Sequence, residues 1–224
     1  MAEKIISVVG PTACGKTKLG VLLAKRYDGE VVSADSMQIY KGMTIGTAAP
    51  TAEEMEGVPH HMIAVADPAE QWSAARYARA AVPIVDDILR RGKRPILVGG
   101  TGLWLDAVVQ GRTFAGGHAG GAVRRELQAQ LAREGIGPLL EELRQVDPEA
   151  AERLHPADEK RILRALEVYR ETGKTISAHN AETRDLPPRY DAVWIGLQFR
   201  DRADMKTLID RRGDAMVAAG LLEE

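Results

Sequence analysis

Cysteine is almost missing from these 224 residues; only Cys14 is present. That excludes an internal disulfide framework, and a lone thiol fits a reducing compartment, so a cytoplasmic protein is expected. Aromatic residues make up 4%, too few for a stacking platform for single-stranded bases to be evident. With a net charge of −2, the chain lacks the basic balance common in proteins that live on nucleic acid, although a local basic stripe stays compatible with it. No apolar run approaches the roughly 18 residues of a membrane span. The first residues lead straight into a strand, without a signal-peptide pattern. Repeats and low-complexity tracts are absent. What remains is ordinary globular composition, 45% hydrophobic and 28% charged. The length suits one sizeable domain or one domain with an insertion.

Against this background one stretch stands out. Gly10-Pro11-Thr12-Ala13-Cys14-Gly15-Lys16-Thr17 matches the phosphate-cradling pattern G-x-x-x-x-G-K-[ST] at every fixed position. Before it, Ile5-Ile6-Ser7-Val8-Val9 is a short β-branched run, as a buried strand requires. After it, Leu19, Leu22, Leu23 and Ala24 recur at helical spacing. Strand, glycine loop and helix together point backbone N–H groups and a helix N-terminus at an anion. Lys16 adds a full charge, and Thr17 offers a hydroxyl to phosphate or Mg²⁺. The loop specifies a polyphosphate or pyrophosphate, not what is done with it.

Further strands are expected over residues 30–34, 94–98 and 192–197, giving four in all. The second runs into Asp35-Ser36-Met37-Gln38-Ile39-Tyr40. Polar residues just past a strand's carboxyl end face the ligand crevice of an open α/β sheet, which marks Asp35. Asp followed by Ser is equally a good helix cap, and both readings stand. Thr51-Ala52-Glu53-Glu54 reads as a capping box. The adjacent His60 and His61 make a poor chelate and point away from a metal site. Residues 73–91 form an amphipathic helix through Ala74, Tyr77, Ala81, Ile84, Val85 and Ile88, with Pro83 predicting a kink or two pieces and Trp72 assigned to the core. The third strand enters Gly99-Gly100-Thr101-Gly102, which permits close approach of a ligand or serves as a tight turn before a helix.

Composition changes after Arg112. Ala115-Gly116-Gly117-His118-Ala119-Gly120-Gly121 reads as a hinge. Residues 122–179 are charged and helical in period, without a strand, and read as an all-helical insertion. The resulting division is a core over 1–114, an insertion over 115–182, and a return to the core over 183–224. Arg124-Arg125, Lys160-Arg161 with Arg164, and Arg211-Arg212 are basic clusters. Each is either a solvated helix face or a phosphate contact.

Five blocks in order resemble the bacterial tRNA dimethylallyltransferases, the tRNA isopentenyltransferases. They are Gly10–Thr17; Ser33–Tyr40 continuing through Ile45-Gly46-Thr47-Ala48; Gly57-Val58-Pro59-His60-His61; Gly99–Leu103; and Arg161–Gly173 with Arg164-Ala165-Leu166-Glu167-Val168. The resemblance implies an α/β fold, a P-loop NTPase-like parallel sheet flanked by helices and carrying the helical insertion. It implies transfer of a dimethylallyl group from dimethylallyl diphosphate to the exocyclic N6 amine of the adenosine 3′ of the anticodon in tRNA. The loop Gly10, Pro11, Thr12, Ala13, Cys14, Gly15, Lys16 and Thr17 would hold the diphosphate, with Mg²⁺ at Thr17. Asp35 would take the amine's proton, and Thr101 would bond the leaving oxygen. Asp35, Ser36, Met37, Gln38 and Thr101 would hold a base flipped out of its stack. Arg124, Lys160, Arg161, Ile162, Leu163 and Arg164 would grip the anticodon stem. A cytoplasmic monomer with no membrane partner is implied. Two departures are visible: Cys14 stands where the family usually has Ser, and family members continue well beyond this length, so the chain reads as lacking a C-terminal part. The competing expectations are a small-molecule P-loop kinase, an isopentenyltransferase acting on free adenine nucleotides, and an inactive tRNA-binding fragment.

Overall fold

A computed structural model describes residues 4–115, 121–184 and 186–224. The glycine-rich hinge expected over 115–121 falls mostly outside the described residues. The elements run β1 (Lys4–Val9), α1 (Lys16–Arg26), β2 (Gly29–Ser33), α2 (Ala52–Met55), β3 (His60–His61), α3 (Ala74–Arg90), β4 (Arg94–Gly99) and α4 (Gly102–Val109). Then come α5 (Ala122–Glu134), α6 (Ile136–Val146), α7 (Pro148–Arg153), α8 (Glu159–Thr172) and α9 (Ile176–Arg184), followed by β5 (Asp191–Gly196) and α10 (Arg202–Ala218). They divide into two compact units, Met1–Gly111 with Pro188–Glu224, and Arg112–Pro187. Among the described residues, no helix is long and apolar enough to cross a membrane.

The first unit is a parallel sheet in the order β3-β2-β4-β1-β5. β4 lies between β2 and β1, with Ile96 opposite both Val31 and Ile6. The chain thus passes from β1 over the place of β4 to reach β2, and returns to fill it. The carboxyl ends of β2, β4 and β1 stand side by side, where an open α/β sheet offers a crevice to ligands. The inner strands β1, β2 and β4 bury Ile5, Val8, Val31, Val32, Ile96, Leu97 and Val98. α1 covers them with Val21 and Ala24. α3 buries Ala74, Tyr77, Ala81, Val85 and Ile88, a stripe at three- and four-residue intervals. The Tyr77 ring stacks on Trp104 of α4 with centroids 4.3 Å apart, and its hydroxyl donates to Ser33 O at 2.8 Å.

Among its described residues, the second unit forms helices and no strand. Leu127, Leu139, Leu140, Leu143, Ile162, Leu163 and Leu166 form its core. Buried Asp147 joins two helices: Oδ1 accepts from Ala150 N and Oδ2 from Ser177 N.

Three local expectations change. The sheet has five strands rather than four, because His60–His61 pairs with Val31 and Val32; two residues are too short to show a period. Pro83 sits inside one 17-residue helix rather than between two helical pieces. Trp72 is half-buried rather than core, with the Arg76 guanidinium 4.3 Å from its ring centre. The capping box is present: Thr51 Oγ1 accepts from Glu54 N, and the Glu54 carboxylate accepts from Thr51 N.

At the opposite end of β2 from the crevice lies a charge cluster. Glu30 is 4% exposed. Its carboxylate accepts from both terminal nitrogens of Arg91 and bonds His61 Nε2 at 2.8 Å. The Arg91 guanidinium, more than any other group, holds the Glu30 carboxyl down to about 2, against an ordinary 4.5. A depressed carboxyl contributes stability that is complete above the unfolded value and lost as pH falls through the folded one. Chemical denaturation is therefore expected to show stability declining between about pH 4.5 and pH 2, with that component missing from Glu30→Gln. Arg91→Ala leaves a buried carboxylate short of its main partner and is expected to lower the melting temperature at neutral pH. Equal acid dependence in wild type and Glu30→Gln would contradict this account.

Candidate active site

The phosphate loop follows β1 without a break. Ala13 and Gly15 are both left-handed, at φ +63° and +86°. Glycine adopts this conformation freely, whereas at Ala13 it stores strain of the order of 1 kcal/mol. Such backbone curls N–H groups inward. Gly15 occupies the N-cap of α1 and offers no side chain there, so the helix's first N–H groups stay open to an anion. Lys16 Nζ donates to the carbonyls of Gly10 and Pro11 at 3.0 and 2.7 Å, with Cys14 Sγ at 4.0 Å. Thr17 follows on the first turn of α1.

Next to this loop, β4 runs into Gly99-Gly100-Thr101. A Cβ on Gly99 would lie 2.2 Å from Ala34 O. Only glycine lets β4 press its backbone against the end of β2. A Cβ on Gly100 would stand in open contact, 3.9 Å from Gly10 O and 4.0 Å from Lys16 Nζ. The loop after β4 therefore faces the phosphate loop.

Thr101 ties the two strand ends together. Its N–H donates to Ala34 O, and its Oγ1 accepts from Ser36 N at 3.2 Å and donates to Ser36 Oγ at 3.3 Å. Asp35 starts no helix. Residues 36–39 form a turn, and Asp35 Oδ1 accepts from Met37 N and Gln38 N at 2.9 and 3.4 Å. Oδ2 has no hydrogen-bond partner among the described residues. The helix-cap reading thus gives way to a turn that engages one carboxylate oxygen and leaves the other open. The Met37 side chain is exposed. Gln38 is spent within the protein: Oε1 accepts from Ser33 Oγ, and Nε2 donates to Thr47 O and Ala48 O. It braces the loop over residues 43–48 against the Asp35 turn. Arg212 Nη2 reaches the same loop, donating to Thr47 O at 3.3 Å.

In the helical unit, Arg124 and Arg164 converge on Glu167, which is buried, at 3.7 and 2.8 Å. Arg164 also donates to Ala115 O. Arg161 pairs with Asp158 at the start of α8, and Lys160 is exposed. Ile162 and Leu163 point into the core. A binding role for these two side chains is therefore corrected: the helical period that exposes Lys160 and Arg161 turns the next two residues inward.

Nothing in the sequence singled out Tyr77 as the prop of Ser33, or Glu224, whose carboxylate sits on the 44–46 backbone.

Comparisons with known proteins identify the family. The family model described as IPP transferase matches residues 38–224. The chain belongs to this family. It is 48% identical to the tRNA dimethylallyltransferase of Caldanaerobacter subterraneus subsp. tengcongensis, over 100% of this chain and 71% of that relative. The full-length tRNA isopentenylpyrophosphate transferase of Bacillus halodurans is 44% identical, with a TM-score of 0.66, covering 99% of this chain and 68% of that one. A eukaryotic dimethylallyltransferase acting on tRNA is 30% identical, with a TM-score of 0.82, over 99% of this chain and 55% of that one. The P-loop NTPase-like parallel sheet is thus the fold of a family of prenyltransferases.

Two glycine variants separate fold from site. Gly99→Ala is expected to destabilise by about 1–3 kcal/mol, since backbone must move to admit the methyl. Gly100→Ala is expected to keep its melting temperature but to bind inorganic pyrophosphate up to about tenfold more weakly, as its methyl meets Lys16. Differential scanning calorimetry and titration calorimetry read the two effects. The reverse pattern would contradict the placement of these loops.

Proposed function

We propose that this chain transfers a dimethylallyl group from dimethylallyl diphosphate to the exocyclic N6 amine of the adenosine 3′ of the anticodon in tRNA. The observation that carries this reading is the Thr101–Ser36 junction. It fastens a carboxylate-bearing turn to the loop that faces Lys16. A proton acceptor and a diphosphate cradle then share one crevice.

The chemistry follows from the residues. The curled loop Gly10–Thr17 and the start of α1 hold the donor's diphosphate. Lys16 exchanges its two carbonyl partners for phosphate oxygens, a stronger charge-assisted pairing. Thr17 presents a hydroxyl oxygen, the hard donor that suits Mg²⁺ held mainly by substrate phosphates. Such a cation, when bound, neutralises charge on the leaving diphosphate. The N6 lone pair forms the new bond to the allylic carbon as its bond to the bridging oxygen breaks. Asp35 accepts the proton released from N6, through the oxygen that the turn leaves free. Thr101 turns its hydroxyl to the departing oxygen. The adenine must leave its stack to arrive there, and Ser36 and Met37 stand beside Asp35 to hold it. Gln38 supports that pocket from behind.

The helical unit supplies backbone contacts. Lys160 and Arg161 are open to phosphates, while Arg124 and Arg164 are pre-set by Glu167. A reducing, cytoplasmic setting agrees with a chain that has a single thiol.

The test is a product assay with labelled dimethylallyl diphosphate, Mg²⁺ and unmodified tRNA. Label is expected in tRNA, with Asp35→Ala lowering turnover by roughly 10²- to 10⁴-fold. No label from this chain, nor from a version extended with a relative's C-terminal segment, would overturn the reading. Replacing Lys160 and Arg161 together by Ala is expected to weaken tRNA binding and to flatten its salt dependence by about two phosphate contacts. An unchanged salt slope would remove both from the interface.

A further inference from the structure

The loop over residues 43–48 has a second anchor that the proposed chemistry does not use. Glu224 Oε1 accepts from Ile45 N at 2.7 Å and Thr44 Oγ1 at 3.2 Å, while Oε2 accepts from Gly46 N at 2.8 Å. One carboxylate therefore collects three donors from three successive residues. The Gly46 and Ile45 N–H groups hold its carboxyl below the ordinary range. Leu221 closes the same contact: a Cβ on Gly46 would lie 3.1 Å from Leu221 Cδ1. The loop is bound on its other side by the Gln38 amide, through Thr47 O and Ala48 O. Inside it, Ala48 N donates to Ile45 O, Ala49 N to Thr44 O, and the Thr47 hydroxyl to Met43 O. The loop is thus internally bonded, held by Glu224 at residues 44–46 and by Gln38 at residues 47 and 48, with Arg212 also on Thr47 O. Gln38 N in turn donates to Asp35 Oδ1.

We propose that Glu224 is a positioning residue for the transfer reaction: it clamps the 44–48 loop, and through Gln38 fixes the Asp35 turn. This rests on the transferase reading. A chain of hydrogen bonds runs from Glu224 through the 44–48 loop to Gln38 and Asp35. Removing the carboxylate frees three donors on an exposed segment. The loop then slides, and Gln38 loses its fixed acceptors. The Asp35 oxygen that must meet the amine loses its aim, and a misplacement of this kind costs rate more than binding.

Hydrogen–deuterium exchange on Glu224→Ala tests the coupling independently of activity. Faster exchange is expected both at Ile45 and Gly46 and at Met37 and Gln38. Acceleration confined to residues 45 and 46 would overturn the proposal, since a merely local brace stops there. Steady-state kinetics on the same variant is expected to show kcat lower by roughly 10- to 100-fold. The KM for dimethylallyl diphosphate is expected to stay within about twofold, because the phosphate loop lies outside the hydrogen-bonded chain. Glu224→Ala on a Gln38→Ala background is expected to add little further loss, as both act through one path. Fully additive losses would overturn the proposal. If the parent chain transfers nothing, the kinetic result falls on the transferase reading, and exchange at Met37 and Gln38 alone decides the role of Glu224.

Discussion

The close approach of Gly99 to Ala34 is the constraint on which the site depends. β2 and β4 are hydrogen-bonded from Gly29 to Ser33, and the pairing continues past the strand ends through Ala34 N to Val98 O. With no side chain at 99, the two backbones stay together until Thr101 can reach Ser36. A crevice in an open sheet usually widens as its loops diverge from the strand ends. Here the divergence is delayed, and the loops after β2 and β4 behave as one piece. That piece faces the phosphate loop through Gly100. Tyr77 supports it from below, where burial in an apolar environment makes its hydroxyl bond to Ser33 O costly to lose.

The charges are arranged by the same logic. Lys16 is held by backbone carbonyls, neutral partners that a phosphate displaces readily. Asp35 is held by two backbone N–H groups on a single oxygen. Among the described residues neither group has an ion-pair partner, so both side chains stay available to a ligand. The Glu30 cluster is built the opposite way. There a buried carboxylate is saturated by Arg91 and His61, and it serves the fold at the far end of β2. In the helical unit, Glu167 likewise fixes Arg124 and Arg164, while Lys160 and Arg161 are exposed, Arg161 beside Asp158.

Much of this was legible in the sequence because it is local. The phosphate loop is a contiguous pattern with a strand before and a helix after, and the β-branched runs and the apolar stripe from Ala74 to Ile88 carry clear periods. Asp35 was visible from its place just past a strand. Other features rest on contacts distant in sequence. His60–His61 is a strand only because β2 lies beside it. The engagement of Gln38 by Thr47 and Ala48, and of the 44–46 backbone by Glu224, leaves no trace in composition or spacing. Ile162 and Leu163 show the cost of carrying a motif over as a block: contiguity in sequence put them with Lys160 and Arg161, while the 3.6-residue period put them in the core.

The central claim is that Asp35 serves the chemical step rather than binding. Single-turnover transfer by Asp35→Asn, with tRNA and dimethylallyl diphosphate both saturating and their dissociation constants measured separately, tests it most directly. The amide keeps the turn's acceptor oxygen but takes up no proton. The account predicts a rate constant lower by roughly 10²-fold or more, with both dissociation constants within about threefold of wild type. An unchanged rate constant, or a loss that lies wholly in tRNA affinity, would contradict it.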